Sequence, residues 1–459
     1  TCSTTLEIVD ARTGEPLPGV LRIRTAAGKT VDVPELLNRG AGLPDDLPIH
    51  DWLALPKTRT VELPRGPITI EAISGIETEL GKVEIDLSEH TKKTIRIPLV
   101  RFFNRESKKL VAGNTHLHVM KMTRAECDRY LNEIPATDNL DVLFLSYLER
   151  AGADQTYISN KYTKADLAKL TKSSGVQFGN GEEHRHNFGG FTQGYGHVML
   201  LNIDKLILPV SIGPGIMKEG TDGLPLSRGI SQAKRDGATT IWCHNVFGLE
   251  SESNWILGKL DALNIYDGGQ RAGYNQRFYQ LLNTGLKVPF STGTDWFMYD
   301  FNRVYVSLNE ALTIKSWLDS LSAGRSFITN GPLFEFKINQ HGIGDVVKLN
   351  SAERITIVGR VTGRTDFEKA ELIHNGNIIG TFESKPTAGH FAAQFKLDKQ
   401  ITEPGWFALR IPAPVRENKQ EVVPVNLFGR KLYGHTSPIY IEVDGKSHFN
   451  KRSAVAMLK

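Results

Sequence analysis

The segment NTHLH (114–118) sets two imidazoles two positions apart. In an extended chain residues i and i+2 point to the same side, so His116 and His118 can share one metal ion. By themselves they could equally be polar side chains on an exposed strand face. Further on, GNGEEHRHNFGG (179–190) packs Glu182, Glu183, His184, Arg185 and His186 between glycines. Neighbours in an extended chain face opposite ways, which divides these residues into Glu183 with Arg185, and Glu182 with His184 and His186. A carboxylate can bridge two cations, and either glutamate is placed for that use. A hydrated glycine-rich loop is the other reading of the same stretch.

Three more groups follow in order. His197 opens the apolar run GYGHVMLL, His244 closes TTIWCH, and Asp295 closes VPFSTGTD with Ser291, Thr292 and Thr294 beside it as hydrogen-bond partners. Each sits at an expected strand boundary, and in parallel α/β domains functional groups collect at the carboxyl ends of strands. A mixed imidazole and carboxylate set suits zinc, and also manganese or iron. Cys243 should point away from His244 along the strand and reads as core, which makes the two a poor nucleophile–base pair. Other chemistries lack their signatures: there is no GxSxG, no HExxH, and no Walker or dinucleotide fingerprint. GPGIMKEG (213–220) is glycine-rich but lacks a lysine followed by serine or threonine.

These residues need elements to carry them, and the chain changes texture twice. Residues 4–35 and 60–104 alternate with a period near two, as in TLEIVD, VLRIRT, ITIEAI and TIRIPLV, which predicts a β-sandwich over 1–105. NRGAGLPDDLPIHDWLALP (38–56), rich in proline, reads as a long loop within it. From 106 to 334 apolar strands (LDVLFLSYL, HVMLLNI, TTIWCH, VPFSTGTD) alternate with helical patterns. KYTKADLAKLTKSSG has a capping box at Thr163 and stops at glycine; LSRGISQAKRDG (226–237) and SLNEALTIKSWLDSLSAG (307–324) read as further helices. This alternation predicts an α/β domain with parallel strands, and ~230 residues suit a barrel. Past 334 strands return, with HNGN (374–377) as a hairpin turn, so 335–459 reads as a second β-sandwich.

Bulk properties agree with a multidomain globular protein. A chain of 459 residues exceeds one ordinary core, and 40% apolar with 23% charged residues fits a soluble fold. The net charge of +4 is small and its basic residues are scattered, which argues against nucleic acid as a partner. Cys2, Cys127 and Cys243 cannot make a disulfide framework, and no run is long and apolar enough to span a bilayer. Cys2, just ahead of the first strand, could be the remnant of a lipid-attachment site or a plain tail residue. Oligomeric state leaves no mark on the sequence.

Taken together, THLH (115–118), GEE (181–183), GYGH (194–197), WCH (242–244) and STGTD (291–295), in this order, resemble the PHP superfamily of metal-dependent phosphoesterases, and more closely its CehA/McbA-like branch. GRSFITNGPLFEF (324–336) and YGHTSPIYIE (433–442) resemble that branch too, so the likeness covers about 106–445. The N-terminal segment resembles the carboxypeptidase regulatory-like β-sandwich found beside many secreted bacterial enzymes. The resemblance implies a distorted (βα)7 PHP-type barrel, flanked by two β-sandwich domains, with metals at its C-terminal face. It implies metal ligation by His116, His118, Glu183, His197, His244 and Asp295, with Glu183 bridging. One or two divalent ions are expected, zinc foremost, with manganese or iron as alternatives. The implied activity is hydrolysis of a phosphoester, carbamate or related small-molecule ester by metal-activated water, with Glu183, His244 and Arg185 as catalytic groups. Glu182, His184, His186 and Arg303 are expected behind the ligands or facing substrate. A periplasmic or secreted location goes with this reading.

The chain departs from the family pattern twice. The family has an Asp-His pair after its second strand, where this sequence has Glu149 and Arg150. Its final motif is Asp-x-His, where this sequence reads Asp295-Trp296-Phe297. These losses favour fewer than three ions or an altered substrate. They also motivate a second reading: a non-catalytic extracytoplasmic carbohydrate- or polymer-binding protein with a degenerate metal site.

Overall fold

The computed structural model describes residues 1–149, 157–186, 194–213, 224–244, 248–270, 273–274, 277–416, 418 and 420–457. Its first segment pairs a three-stranded sheet (Arg59–Leu63, Cys2–Asp10, Lys92–Leu99) with a five-stranded one (Leu37–Asn38, Leu53–Leu55, Gly19–Thr25, Pro67–Ile73, Gly81–Asp86). Alternation drives this: Leu6, Ile8, Ile23, Ile70, Ile95 and Ile97 are buried between the sheets, and Cys2 lies with them. The stretch 38–56 is not all loop. Leu53–Leu55 is a strand paired with Gly19–Leu21, because all three of its side chains are buried and a loop would leave their backbone unsatisfied.

A large mixed sheet curls through the middle of the chain, flanked by the smaller sheets. Leu110–His118 lies parallel to Val142–Tyr147, which lies parallel to Gln177–His186. Gly196–Leu201 then runs antiparallel both to Gln177–His186 and to Thr239–Trp242. Ala262–Asn264 and Phe290–Ser291 follow in parallel, and Asp295–Trp296 returns to pair with Leu117 and His118. The reversed strand Gly196–Leu201 has a consequence for chemistry. Its amino end, carrying His197, lies beside the carboxyl ends of its neighbours.

The helices follow their caps. Lys164–Ser174 starts at a Thr163–Asp166 capping box and ends at Gly175 with φ of 81°. The helix expected over 307–324 spans only Ile314–Ser322, because Thr313 caps its start and leaves the preceding turn outside. Arg124–Thr137 is a helix that periodicity did not announce, with Pro135 inside it. No helix among the described residues is long and apolar enough to cross a membrane.

The last segment has a four-stranded sheet (Leu333–Ile338, Glu353–Gly363, His390–Ile401, Lys385–Thr387) and the hairpin at 374–377, where Asn375 and Gly376 take φ of 50° and 87°. Gly434–Thr436 pairs with Ser326–Thr329, so the remaining strands extend the large sheet across an edge that would otherwise be bare. One apolar cluster accordingly runs through all three segments, from Val20 and Trp52 through Leu117 and Tyr130 to Phe336 and Ile439.

His435 sits in this seam. Its Nε2 accepts from Tyr279 Oη at 2.7 Å and its Nδ1–H donates to Thr436 O at 2.7 Å. Burial, aided by the Arg410 guanidinium, pushes its pKa down to about 3. An unfolded histidine titrates near 6.5, so its contribution is complete above that pH and is lost as pH falls toward about 3, at ~1.4 kcal/mol per pH unit for one proton. The urea midpoint should therefore fall between pH 7 and pH 4. His435→Gln should make that decline shallower by about one proton's worth. Buried His184 and His374, also lowered, keep it from becoming flat.

Candidate metal centre

Strand alternation delivers the side chains. On Leu110–His118 the rings of His116 and His118 share one face while Leu117 enters the core. On Gln177–His186 Glu183 and Arg185 share a face, with Arg185 Nη1 3.6 Å from Glu183 Oε1. Glu182 and His184 face the other way. His184 Nδ1 lies 3.0 Å from Glu182 Oε1, and Glu182 Oε2 accepts from Ile207 N at 2.9 Å. That pair packs behind the sheet against Gly229, where an added Cβ would stand 2.1 Å from His184 Nε2. Burial pushes the Glu182 carboxyl up to about 8 and the His184 imidazole down to about 3, so both favour their neutral forms. His186 donates from Nδ1 to Leu224 O. Arg303 is buried elsewhere, donating to Phe301 O and Asp138 O. These four residues are not among the groups that converge.

The converging groups form two sets that meet at Glu183. His116, His118, Glu183 and Asp295 present ligand atoms within 4.8 Å of one another, as do Glu183, His197 and His244. Glu183 Oε2 lies 3.2 Å from His118 Nε2, while Glu183 Oε1 lies 3.1 Å from His197 Nδ1 and 3.3 Å from His244 Nε2. Asp295 Oδ1 lies 3.4 Å from His116 Nε2 and 3.7 Å from His118 Nε2. A third grouping, His116 with Cys243 and Asp267, is of another kind: His116 is already hydrogen-bonded to Asp267, and burial drives the Cys243 thiol pKa well up.

The proton inventory explains what such a site is for. His116 Nδ1–H donates to Asp267 Oδ2 at 2.8 Å and His118 Nδ1–H donates to Ser146 O at 3.0 Å. In the neutral rings both Nε2 atoms are thereby left without a proton, and they lie 3.0 Å apart. Two lone pairs at that separation repel unless a proton or a cation lies between them. Asp295 Oδ1 and both nitrogens of His197 are buried without a hydrogen-bond partner among the described residues. Orphaned donors of this type, imidazole and carboxylate, fit a divalent metal. The residues present can therefore hold one or two such ions.

Asp267 is the site residue that the sequence reading missed. It accepts from His116 through Oδ2, and through Oδ1 it lies 3.2 Å from His244 Nδ1 and accepts His244 N at 3.1 Å. One carboxylate thus sets the ring orientation of a histidine in each set. Burial opposes its ionisation, but His244 and His116 outweigh that and hold the carboxyl well below the usual range. Glu183 is likewise held low by Arg185 and the histidines against the effect of burial. Despite burial, Asp295, Asp267 and Glu183 raise His116 above the ordinary imidazole value, and Asp267, Glu183 and Asp295 do the same for His244. Ala262–Asn264 is too short to show alternation, so its carboxyl end was invisible. The available signal was an acid shortly after a short, mostly apolar run and directly before paired glycines, in LNIYDGG (263–269).

His244, Tyr266, Asp295 and Phe297 all have positive φ, between 51° and 63°. For bulky residues this left-handed backbone is costly, and it clusters where strands end at the site. Trp296 and Tyr157 stand over His118, with ring centroids 5.0 and 6.2 Å from it, and form an aromatic wall. Trp242 and Trp255, by contrast, are buried in the core.

No protein-family model matches the chain, and no curated protein sequence matches it.

Asp267→Asn tests the orienting role. An amide has one acceptor oxygen where two ring nitrogens need one each, so its NH2 would face one of the two histidines and force the wrong tautomer. Zinc affinity measured by competition with a chelator should fall by about 10- to 100-fold. Because His116 and His244 have raised pKa values, binding must also release protons, so wild-type affinity should climb as pH rises from about 6 to 8.

Proposed function

We propose that the chain is a metal-dependent hydrolase acting on a phosphoester, carbamate or related ester, of the PHP kind and nearest its CehA/McbA-like branch. The observation that carries this reading is the division of Glu183, whose two oxygens serve two separate ligand sets at 3.1–3.3 Å. A buried carboxylate with one oxygen in each of two imidazole-rich clusters is what a bridge between two cations requires. In this reading His116, His118, Asp295 and Glu183 Oε2 would hold one ion, and His197, His244 and Glu183 Oε1 a second. The imidazole-rich donor set favours zinc, with manganese or iron as alternatives. An ion bound there supplies Lewis acidity and lowers the pKa of a coordinated water toward neutrality.

The chain's own groups supply the rest. Arg185 stands beside Glu183, its Nε buried without a hydrogen-bond partner among the described residues. Its charge is available to orient an anionic oxygen of the substrate and to stabilise charge that develops there. Trp296 and Tyr157 present aromatic surface for the apolar part of an ester. Asp267 keeps the His116 and His244 rings turned toward the ligand sets. Phe297 supplies no donor, which supports one or two ions over three; of the Glu149–Arg150 pair, Arg150 lies outside the described residues.

The pairings from Leu110–His118 round to Asp295–Trp296 support a distorted seven-stranded barrel over 106–334, between β-sandwich segments at 1–105 and 335–459. A periplasmic or secreted location belongs to the same proposal. Cys2, buried in the N-terminal core, would have to leave that core to carry a lipid.

Metal analysis and assays on aryl phosphates and aryl carbamates, with zinc or manganese added, test the function. His116→Ala should lower kcat/KM by at least about 100-fold and reduce bound metal, and EDTA should abolish turnover of the wild type. If the protein binds no divalent metal and His116→Ala changes nothing, the hydrolase reading is wrong. Polysaccharide binding that survives EDTA would then favour the non-catalytic alternative.

A further inference from the structure

Asp295 has an unusual weakness for a ligand. Its Oδ1 is buried without a hydrogen-bond partner among the described residues, and the nearest imidazole nitrogens stand 3.4 and 3.7 Å from it. Its backbone is in the left-handed region, and so is that of Phe297 two residues on, at φ of 62° and 51°. A segment in this conformation does not hold itself, and the hold must come from outside.

Part of it comes from the pairing of Asp295 and Trp296 with Leu117 and His118, and part from the N-terminal segment. Arg39, fully buried, donates from Nη1 to Met298 O at 2.5 Å and is tied by Nε and Nη2 to both oxygens of Asp138 at 2.9 and 2.5 Å. Met298 N donates to Tyr130 Oη at 2.8 Å, so both polar backbone groups of Met298 are taken by side chains. Phe297 N donates to His118 O at 2.9 Å, and its ring packs edge-on to Tyr130 with centroids 6.0 Å apart. Gly42, three residues after Arg39, closes over that ring: a Cβ there would lie 2.3 Å from Phe297 Cε1, and its φ of 84° already suits only glycine.

We propose that the N-terminal loop carrying Arg39 and Gly42 is a positioning device for Asp295, gripping Phe297 and Met298 so that the adjacent carboxylate reaches the His116–His118–Glu183 set. This rests on the metal-site reading above, and extends it by making the N-terminal β segment part of the site. Arg39, Gly42 and Tyr130 are positioning residues; none touches the ligand atoms.

The test is zinc affinity by chelator competition, with the visible spectrum of the cobalt(II)-loaded protein as a report on ligand geometry. Gly42→Ala should weaken the tighter zinc step by about 10- to 100-fold and alter the cobalt spectrum, the scale on which groups behind a ligand act. Gly42→Ala with Phe297→Leu, which makes room for the new methyl, should return affinity to within about threefold of wild type. Tyr130→Phe, which keeps the ring and deletes one hydroxyl, should weaken zinc severalfold with the melting temperature of the metal-free protein little changed, and covers the case in which Gly42→Ala does not fold. Unchanged zinc affinity and cobalt spectrum in folded Gly42→Ala and in Tyr130→Phe would overturn the inference while leaving the metal site standing. Failure of the leucine to rescue folded Gly42→Ala would overturn it as well. Absence of zinc binding in the wild type would remove the metal-site reading itself.

Discussion

The Nε2 atoms of His116 and His118, fully buried and 3.0 Å apart, set the terms for the rest of the molecule. Their other nitrogens are committed to Asp267 and to Ser146 O, so neither ring can turn away to relieve the contact. Glu183 and Asp295 add negative charge to the same point. Assembling these groups without a cation is unfavourable, and the surrounding fold must supply the stability that keeps them together. A cation reverses the sign of every one of those terms. The scaffold holds together a place that a bound cation would favour.

Several features of the fold follow from that demand. The candidate ligands come from five separate strands or their ends, because a single segment can offer only alternate residues to one side. The reversed strand Gly196–Leu201 brings His197 by its amino end, so its neighbours need not be displaced. The backbone is left-handed at His244 and Asp295, where a residue must be aimed across the sheet end rather than along it. The cost is met at a distance, by an apolar cluster that runs through all three segments and by buried ties such as Arg39 with Asp138.

Sequence periodicity was informative where chemistry and local geometry coincide. In THLH and GEEHRH the period of two decides which side chains can meet, and it separates Glu183 with Arg185 from Glu182 with His184 correctly in kind. The capped helix from Thr163 and the Asn375–Gly376 turn were equally local. What stayed hidden was non-local or too short. Asp267 follows a three-residue strand, Leu53–Leu55 is a strand by virtue of its partner, and Arg124–Thr137 lacks a strong apolar stripe. That the C-terminal strands join the large sheet depends on the edge at Ser326–Thr329, which no property of 434–436 reveals.

Phe297 shows why one departure from a ligand pattern need not be read as decay alone. Position 297 lies two residues past Asp295, where a histidine could have served as another donor, and phenylalanine cannot. The ring is not idle: it fills the crevice between Tyr130 and Gly42, and the same segment is fastened through Met298 to Arg39. A histidine on this backbone would enter that apolar crevice with its ring nitrogens unpaired, at a cost that a buried polar group cannot avoid. The donor and the grip therefore exclude each other at this position. On the proposed reading, a chain that fixes Asp295 from its N-terminal segment does so with an apolar residue at 297, and would work with one ligand fewer.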